Sequence, residues 1–300
     1  MGENELPVTA VDEAYFALTG PLPMPAATLA NDLRRRIGPD RYGLEWHLPW
    51  WLGHAWGLDA ETSQRLVTAN VLGLAALRLR DDLADGEIAP ADTAIARLTS
   101  EHLLDAALSI YRHLFPASDP IWQRIMSLIA PVAVSDDEGA TSSVARAAPV
   151  KISAHAVITL TGRTDLGSVV DECLDHALTA MVLFDHLCDW PADVDHGRSN
   201  LFVESVLGGT SADLSGRASV YRALLLADPI PPYIAAIHAA MARAAELSRA
   251  LRSPELEHHV RELAVAMKQH SQEMRTFYRE QAQAAEALFE TKGGVPDGRR

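Results

Sequence analysis

Apolar residues recur at spacings of three and four along nearly the whole chain, and no segment alternates with period two long enough to read as a strand. Ala, Leu, Arg and Glu dominate these segments, and all four are strong helix formers. The pattern predicts an all-α fold. Breaks rich in Gly, Pro, Asp and Ser fall at Gly86–Asp92, Phe115–Pro120, Ser135–Pro149, Trp190–Asn200, Gly208–Gly216 and Asp228–Pro232. Helices of roughly 15 to 25 residues fit between them, as in a helical bundle. Pro7, Gly20, Pro21, Pro23 and Pro25 suggest an irregular N-terminal arm over residues 1–25, with one or two helical turns around Val11–Leu18. Residues 26–290 are expected to form a single all-α domain, since no repeat or shift in composition divides them. Residues 291–300, ending in GGVPDGRR, read as a disordered tail.

Two of these segments change from apolar to acidic. VTANVLGLAALRLR runs into Asp81, Asp82 and Asp85, and CLDHALTAMVLF runs into Asp185, Asp189 and Asp193. Residues four apart in a helix are about 40° apart around the axis and about 6 Å along it, so Asp81 and Asp85 share a face with Asp82 to one side. Like charges so placed repel, and the helix dipole opposes acids near a C-terminus. A cation offsets both costs, and hard oxygen donors of this type suit magnesium. The bland reading is a solvated helix end, but the apolar run before each cluster points to buried helices. Pro191 is expected to break or kink the second helix, which puts Asp193 on a kinked turn or in the following loop. Arg198 follows closely, as a salt-bridge partner or as a bidentate ligand for phosphate oxygens.

The net charge of −14 excludes a general nucleic-acid or anionic-membrane binder, and 48% hydrophobic residues suffice for a large core. Two cysteines, Cys173 and Cys188, match neither a zinc pattern nor a disulfide framework. No apolar stretch reaches the ~20 residues of a membrane span. The acidic start lacks a secretory pattern, so a cytoplasmic location is expected.

RDDLADG resembles the first aspartate-rich motif of the class I isoprenoid synthases, and DHLCDWPAD resembles the second motif of prenyl synthases and the metal triad of terpene cyclases. DWPADVDHGRSNL is also similar to the second motif of squalene and phytoene synthases. The resemblance covers about Leu77 to Asn200. It implies a class I helical bundle with a central apolar cavity, and three Mg2+ ions bridging the two clusters to the diphosphate of an allylic isoprenyl substrate. Asp81, Asp82, Asp85, Asp185, Asp189 and Asp193 would be metal ligands, with Asp82 direct or one shell removed. Arg198 would contact diphosphate. Lys151 is similar in placement to a diphosphate-binding lysine, though an ordinary exposed lysine fits equally. Homodimers are common in this superfamily.

Departures discriminate among its branches. GEIAPADTAIAR lacks the paired arginines that hold a second diphosphate in chain-elongating synthases, and His186 replaces a usual Asp. ISAHAVITLTGR does not match the tyrosine-rich helix of squalene and phytoene synthases. A terpene cyclase is therefore the favoured expectation. Its rivals are a prenyltransferase using an unusual acceptor, like that of moenomycin assembly, or performing head-to-head condensation, and a non-catalytic binder or scaffold. Trp50, Trp51 and Phe184 are candidate substrate-pocket aromatics, with core packing as the ordinary role for each. A di-iron bundle needs two Glu-x-x-His elements, and only Glu255 to His258 fits.

Overall fold

Prolines at positions 7, 23 and 25 start helices instead of interrupting them. In the computed structural model, which describes residues 6–134, 140–208, 220–221, 223–224 and 229–292, α1 spans Val8–Thr19 behind Pro7. The second helix, α2, spans Met24–Arg36 with proline in its first turn. A proline costs nothing where the first turn has no use for its N–H. The N-terminal segment is thus helical over three turns and not the irregular arm that its composition suggests. Its Val11 and Tyr15 are fully buried, and the Tyr15 hydroxyl donates to the carbonyl of Ala30 at 2.9 Å.

Among the described residues all regular structure is helical, and no helix is long and apolar enough to cross a membrane. The remaining helices are α3 (Gly43–Ala55), α4 (Ala60–Ala84), α5 (Thr93–Leu114), α6 (Ile121–Val134), α7 (Ala140–Ala147), α8 (Lys151–Thr161), α9 (Gly167–His196), α10 (Leu201–Val206), α11 (Ile230–Ala250) and α12 (Pro254–Lys292). Residues 293–300, to which most of the tail assignment refers, lie outside the described residues, as do most of Gly208–Gly216 and part of Ser135–Pro149. The chain divides into two compact units: residues 1–134, 146–172 and 247–259 form the first, and 135–145, 173–246 and 260–300 the second.

In the first unit α4 is the central element. It starts at Asp59, whose carboxylate accepts from the Thr62 N–H at 2.8 Å, a bond that pulls this carboxyl below its usual range. Val67, Val71, Leu72, Ala75, Ala76 and Leu79 then bury around its circumference, as expected for a helix apolar on all sides. Trp46 of α3 joins the same core. Its indole N–H donates to Ile37 O at 2.6 Å, and the Arg34 guanidinium lies 4.2 Å above the ring while its Nε donates to Asp12 at 2.6 Å. This cluster fixes the end of α2, which carries Arg36 toward the acidic end of α4.

Glu45, on the first turn of α3, is an unpaired acid in this unit. Its Oε2 is buried with no hydrogen-bond partner among the described residues, and burial pushes its carboxyl above the usual range, only partly offset by its own backbone N–H. The fold therefore retains a proton that the unfolded chain releases at about pH 4.3. Stability falls as pH rises from there through the folded-state value. Glu45→Gln removes this loss, so its melting temperature should gain on that of the wild type as pH is raised from about 4. Thermal melts across pH check this, and a difference that does not change with pH would refute it.

The second unit is built around aromatic side chains. Trp190 and Phe202 are fully buried, with Tyr233 and Tyr278 nearly so. Ring centroids lie 6.0 Å apart for Trp190 and Tyr278 and 5.1 Å apart for Phe202 and Tyr233, the latter edge to face. The Cys173 thiol donates to Ala244 O at 3.4 Å, joining α9 to α11.

Candidate functional site

The first acid group ends α4. Asp82 points inward, its side chain only 4% exposed, and Arg36 grips it with a fork: Nη1 to Oδ2 at 2.9 Å and Nη2 to Oδ1 at 3.4 Å. That bond holds the Arg36 guanidinium further into its charged form against partial desolvation, with the negative charges of Asp82 and Glu87 adding to it. Asp81 is half-buried and 3.8 Å from Arg78 Nη1. Burial raises its carboxyl above the ordinary range; Arg78 and Arg146 oppose the shift, and the charges of Asp85 and Asp82 reinforce it. Asp85 caps the helix and is exposed. One acid of the three is thus tied back into the fold, one is half-buried beside Arg78, and one is exposed.

The second group, on α9, also has one of its three acids tied back into the fold. Here the structure corrects the expectation drawn from Pro191: the helix continues through the proline to His196, so Asp193 is helical and not in a loop. Asp185 and Asp189 are exposed one turn apart, while Asp193 is half-buried. Asn200, only 1% exposed, donates from Nδ2 to Asp193 Oδ2 at 2.7 Å and to His186 O at 3.0 Å. Its Oδ1 accepts from the N–H groups of Phe202 and Val203, capping α10. His186 Nδ1 accepts from the Leu201 N–H at 2.8 Å, which leaves Nε2 as the proton-bearing nitrogen of the neutral ring. Cys188 registers the local negative potential: burial first, then Asp189 and Asp185, push its thiol up to about 11.

Both acid groups finish in the same glycine cap. After α4, Glu87 N donates to Asp82 O and Gly86 N to Leu83 O; after α9, Arg198 N donates to Asp193 O and Gly197 N to Val194 O. Gly86 and Gly197 have φ of +70° and +68°, a left-handed conformation that glycine adopts without penalty. In each motif the acid held by Arg36 or Asn200 is also the residue whose carbonyl closes the cap.

Lys151 opens α8, but it is 5% exposed and not a surface lysine. Its ammonium is 3.9 Å from Asp171 Oδ1, which also lies 2.6 Å from Arg124 Nη2 and 2.9 Å from His155 Nε2. Burial opposes ionisation of Asp171, but the His155 hydrogen bond, then the charges of His155, Arg124 and Lys151, leave its carboxyl below the ordinary range. Trp50 is packed in the core of the first unit, the ordinary role for a helical tryptophan. Trp51 is half-buried, stacked on His47 at 5.0 Å and near His259 at 4.9 Å. Phe184, also half-buried, meets His270 edge-on at 5.5 Å.

Among the described residues no three His, Cys, Asp or Glu side chains converge as a ready-made metal cage. Magnesium does not require one, since it keeps several waters and binds through one or two carboxylates plus phosphate oxygens. The pairs Asp81/Asp85 and Asp185/Asp189 have that donor chemistry. Arg36, Tyr278, Arg124 and Asp171 carry no local motif that marks them in the sequence. Asn200 does, because an Asn directly before LFVESV is a helix N-cap signal.

Comparison with protein-family models, curated proteins and solved structures returned no match.

Proposed function

We propose that the chain is a magnesium-dependent class I terpene synthase that ionises an allylic isoprenyl diphosphate. The observation that carries this reading is the repeated arrangement of the acids. At two helix ends, two acids remain at least partly open to solvent while a third is held by a buried or forked partner. Two clusters of solvating surface charge would have no need of the Arg36 fork or the Asn200 clamp.

Bound magnesium would act as a Lewis acid, stabilising charge on the departing diphosphate. Asp81, Asp85, Asp185 and Asp189 are the direct ligands in this reading. Asp82 and Asp193 orient them, because Arg36 bonds both oxygens of Asp82 and Asn200 bonds Oδ2 of Asp193. Arg198, placed just past the left-handed Gly197, supplies a guanidinium for phosphate oxygens. Lys151 is engaged with Asp171 and contributes positive charge more than contact. Phe184, one residue before Asp185, offers a ring face to the developing carbocation.

The test is incubation with magnesium and geranyl, farnesyl or geranylgeranyl diphosphate, followed by assay of released diphosphate and of the organic extract. Cyclic or linear terpene products support the synthase. Release that requires an added acceptor identifies a prenyltransferase instead. Binding with no release from any of the three would leave a non-catalytic isoprenyl diphosphate binder and defeat the proposal.

A further inference from the structure

Pro191 lies inside α9, between Asp189 and Asp193. Its ring nitrogen carries no hydrogen, so the carbonyl of Leu187 loses the donor that a helix supplies four residues on. A buried carbonyl left bare is costly. This one is not bare: the Tyr278 hydroxyl donates to Leu187 O at 3.3 Å. The Tyr278 hydroxyl oxygen in turn accepts from Trp190 Nε1 at 2.6 Å. An indole N–H can only donate, so the single phenolic proton is directed to Leu187. Tyr278 is 4% exposed, and its hydroxyl enters the defect from α12. Asn200 ties the same stretch from outside the helix, reaching His186 O before the proline and Asp193 Oδ2 after it.

We propose that Tyr278 is a positioning residue for the second acid group: its hydroxyl replaces the hydrogen bond that Pro191 removes and holds Asp193 in register with Asp185 and Asp189. Magnesium affinity at this group then depends on a phenol 91 residues along the chain from the carbonyl it completes. The proposal rests on the reading of these aspartates as metal-site residues, and it adds a residue that makes no contact with metal or substrate.

Tyr278→Phe deletes the hydroxyl and keeps the ring. Adding Pro191→Ala returns a backbone N–H to Leu187 O, so the double variant should recover what the single one loses. Two measurements read this on the full chain. The first titrates magnesium against thermal unfolding in the presence of inorganic diphosphate. Tyr278→Phe should raise the magnesium midpoint about tenfold, the scale of one lost hydrogen bond, and the double variant should return it to near the wild-type value. The second follows amide hydrogen exchange over residues 192–196, which should quicken in Tyr278→Phe and slow again in the double variant.

A lower melting temperature with an unmoved magnesium midpoint would overturn the proposal, because Tyr278 would then be packing alone. Unchanged exchange over 192–196 would overturn it as well. Absence of any magnesium response in the wild type would sink the metal half together with the reading beneath it. The exchange result would still decide whether Tyr278 fills the proline defect.

Discussion

Replacing Asp81 or Asp189 with alanine is expected to lower magnesium-dependent diphosphate release by about 10²–10³-fold while leaving the helical fold in place. Asp81 is half-buried, with Arg78 3.8 Å away and Asp82 and Asp85 as like charges nearby, and Asp189 is exposed one turn from Asp185. Removing either relieves repulsion between acids and breaks no buried ion pair. Melting temperature should therefore hold or rise slightly as turnover falls. Circular dichroism and a diphosphate-release assay on the same preparations separate the two effects. Near-normal turnover in both variants would remove these residues from the site.

The largest expected stability effect is at Arg36. Arg36→Ala leaves the Asp82 carboxylate buried without its fork, and a stranded charge of this kind costs ~3–5 kcal/mol in a fully buried pair. Arg36 is itself half-exposed, with 49% of its side chain accessible, so solvent screening reduces the expected loss to about 2 kcal/mol. The double variant Arg36→Ala/Asp82→Ala should be more stable than Arg36→Ala alone, because the stranded charge is gone. Denaturant unfolding of the four proteins in this cycle measures the coupling. A double variant less stable than Arg36→Ala would show that Asp82 contributes through contacts other than its charge.

The all-helical class was legible because it depends on local spacing. Gly86–Asp92 and Phe115–Pro120 read correctly as breaks for the same reason. So did the burial of the helix ahead of Asp81, since a segment as apolar as VTANVLGLAALRLR has no polar face to turn outward. What escaped was set by partners distant in sequence. Pro191 reads as a helix breaker on local grounds, and only Tyr278 shows how the break is repaired. Helix phase sets Asp82 to one side of Asp81, but its partner is hidden until Arg36, 46 residues earlier, is placed against it. The N-terminal prolines misled for a different reason: a proline that starts a helix and one that ends it look alike until the boundary is known. Lys151 gives no local sign of burial, because its environment is made by Arg124, His155 and Asp171 from other turns and helices.

The two glycine caps also bear on how such motifs tolerate change. Each cap locks the exit of the polypeptide to the fourth residue before the glycine, so the phase of the aspartates is counted backward from Gly86 and Gly197. One extra residue in that interval could be absorbed as an additional helical step, and the cap would re-form intact. It would also rotate every preceding side chain by 100° relative to the exit. Such an indel would yield a well-folded but mis-phased protein, so spacing here answers to chemistry more strictly than to folding.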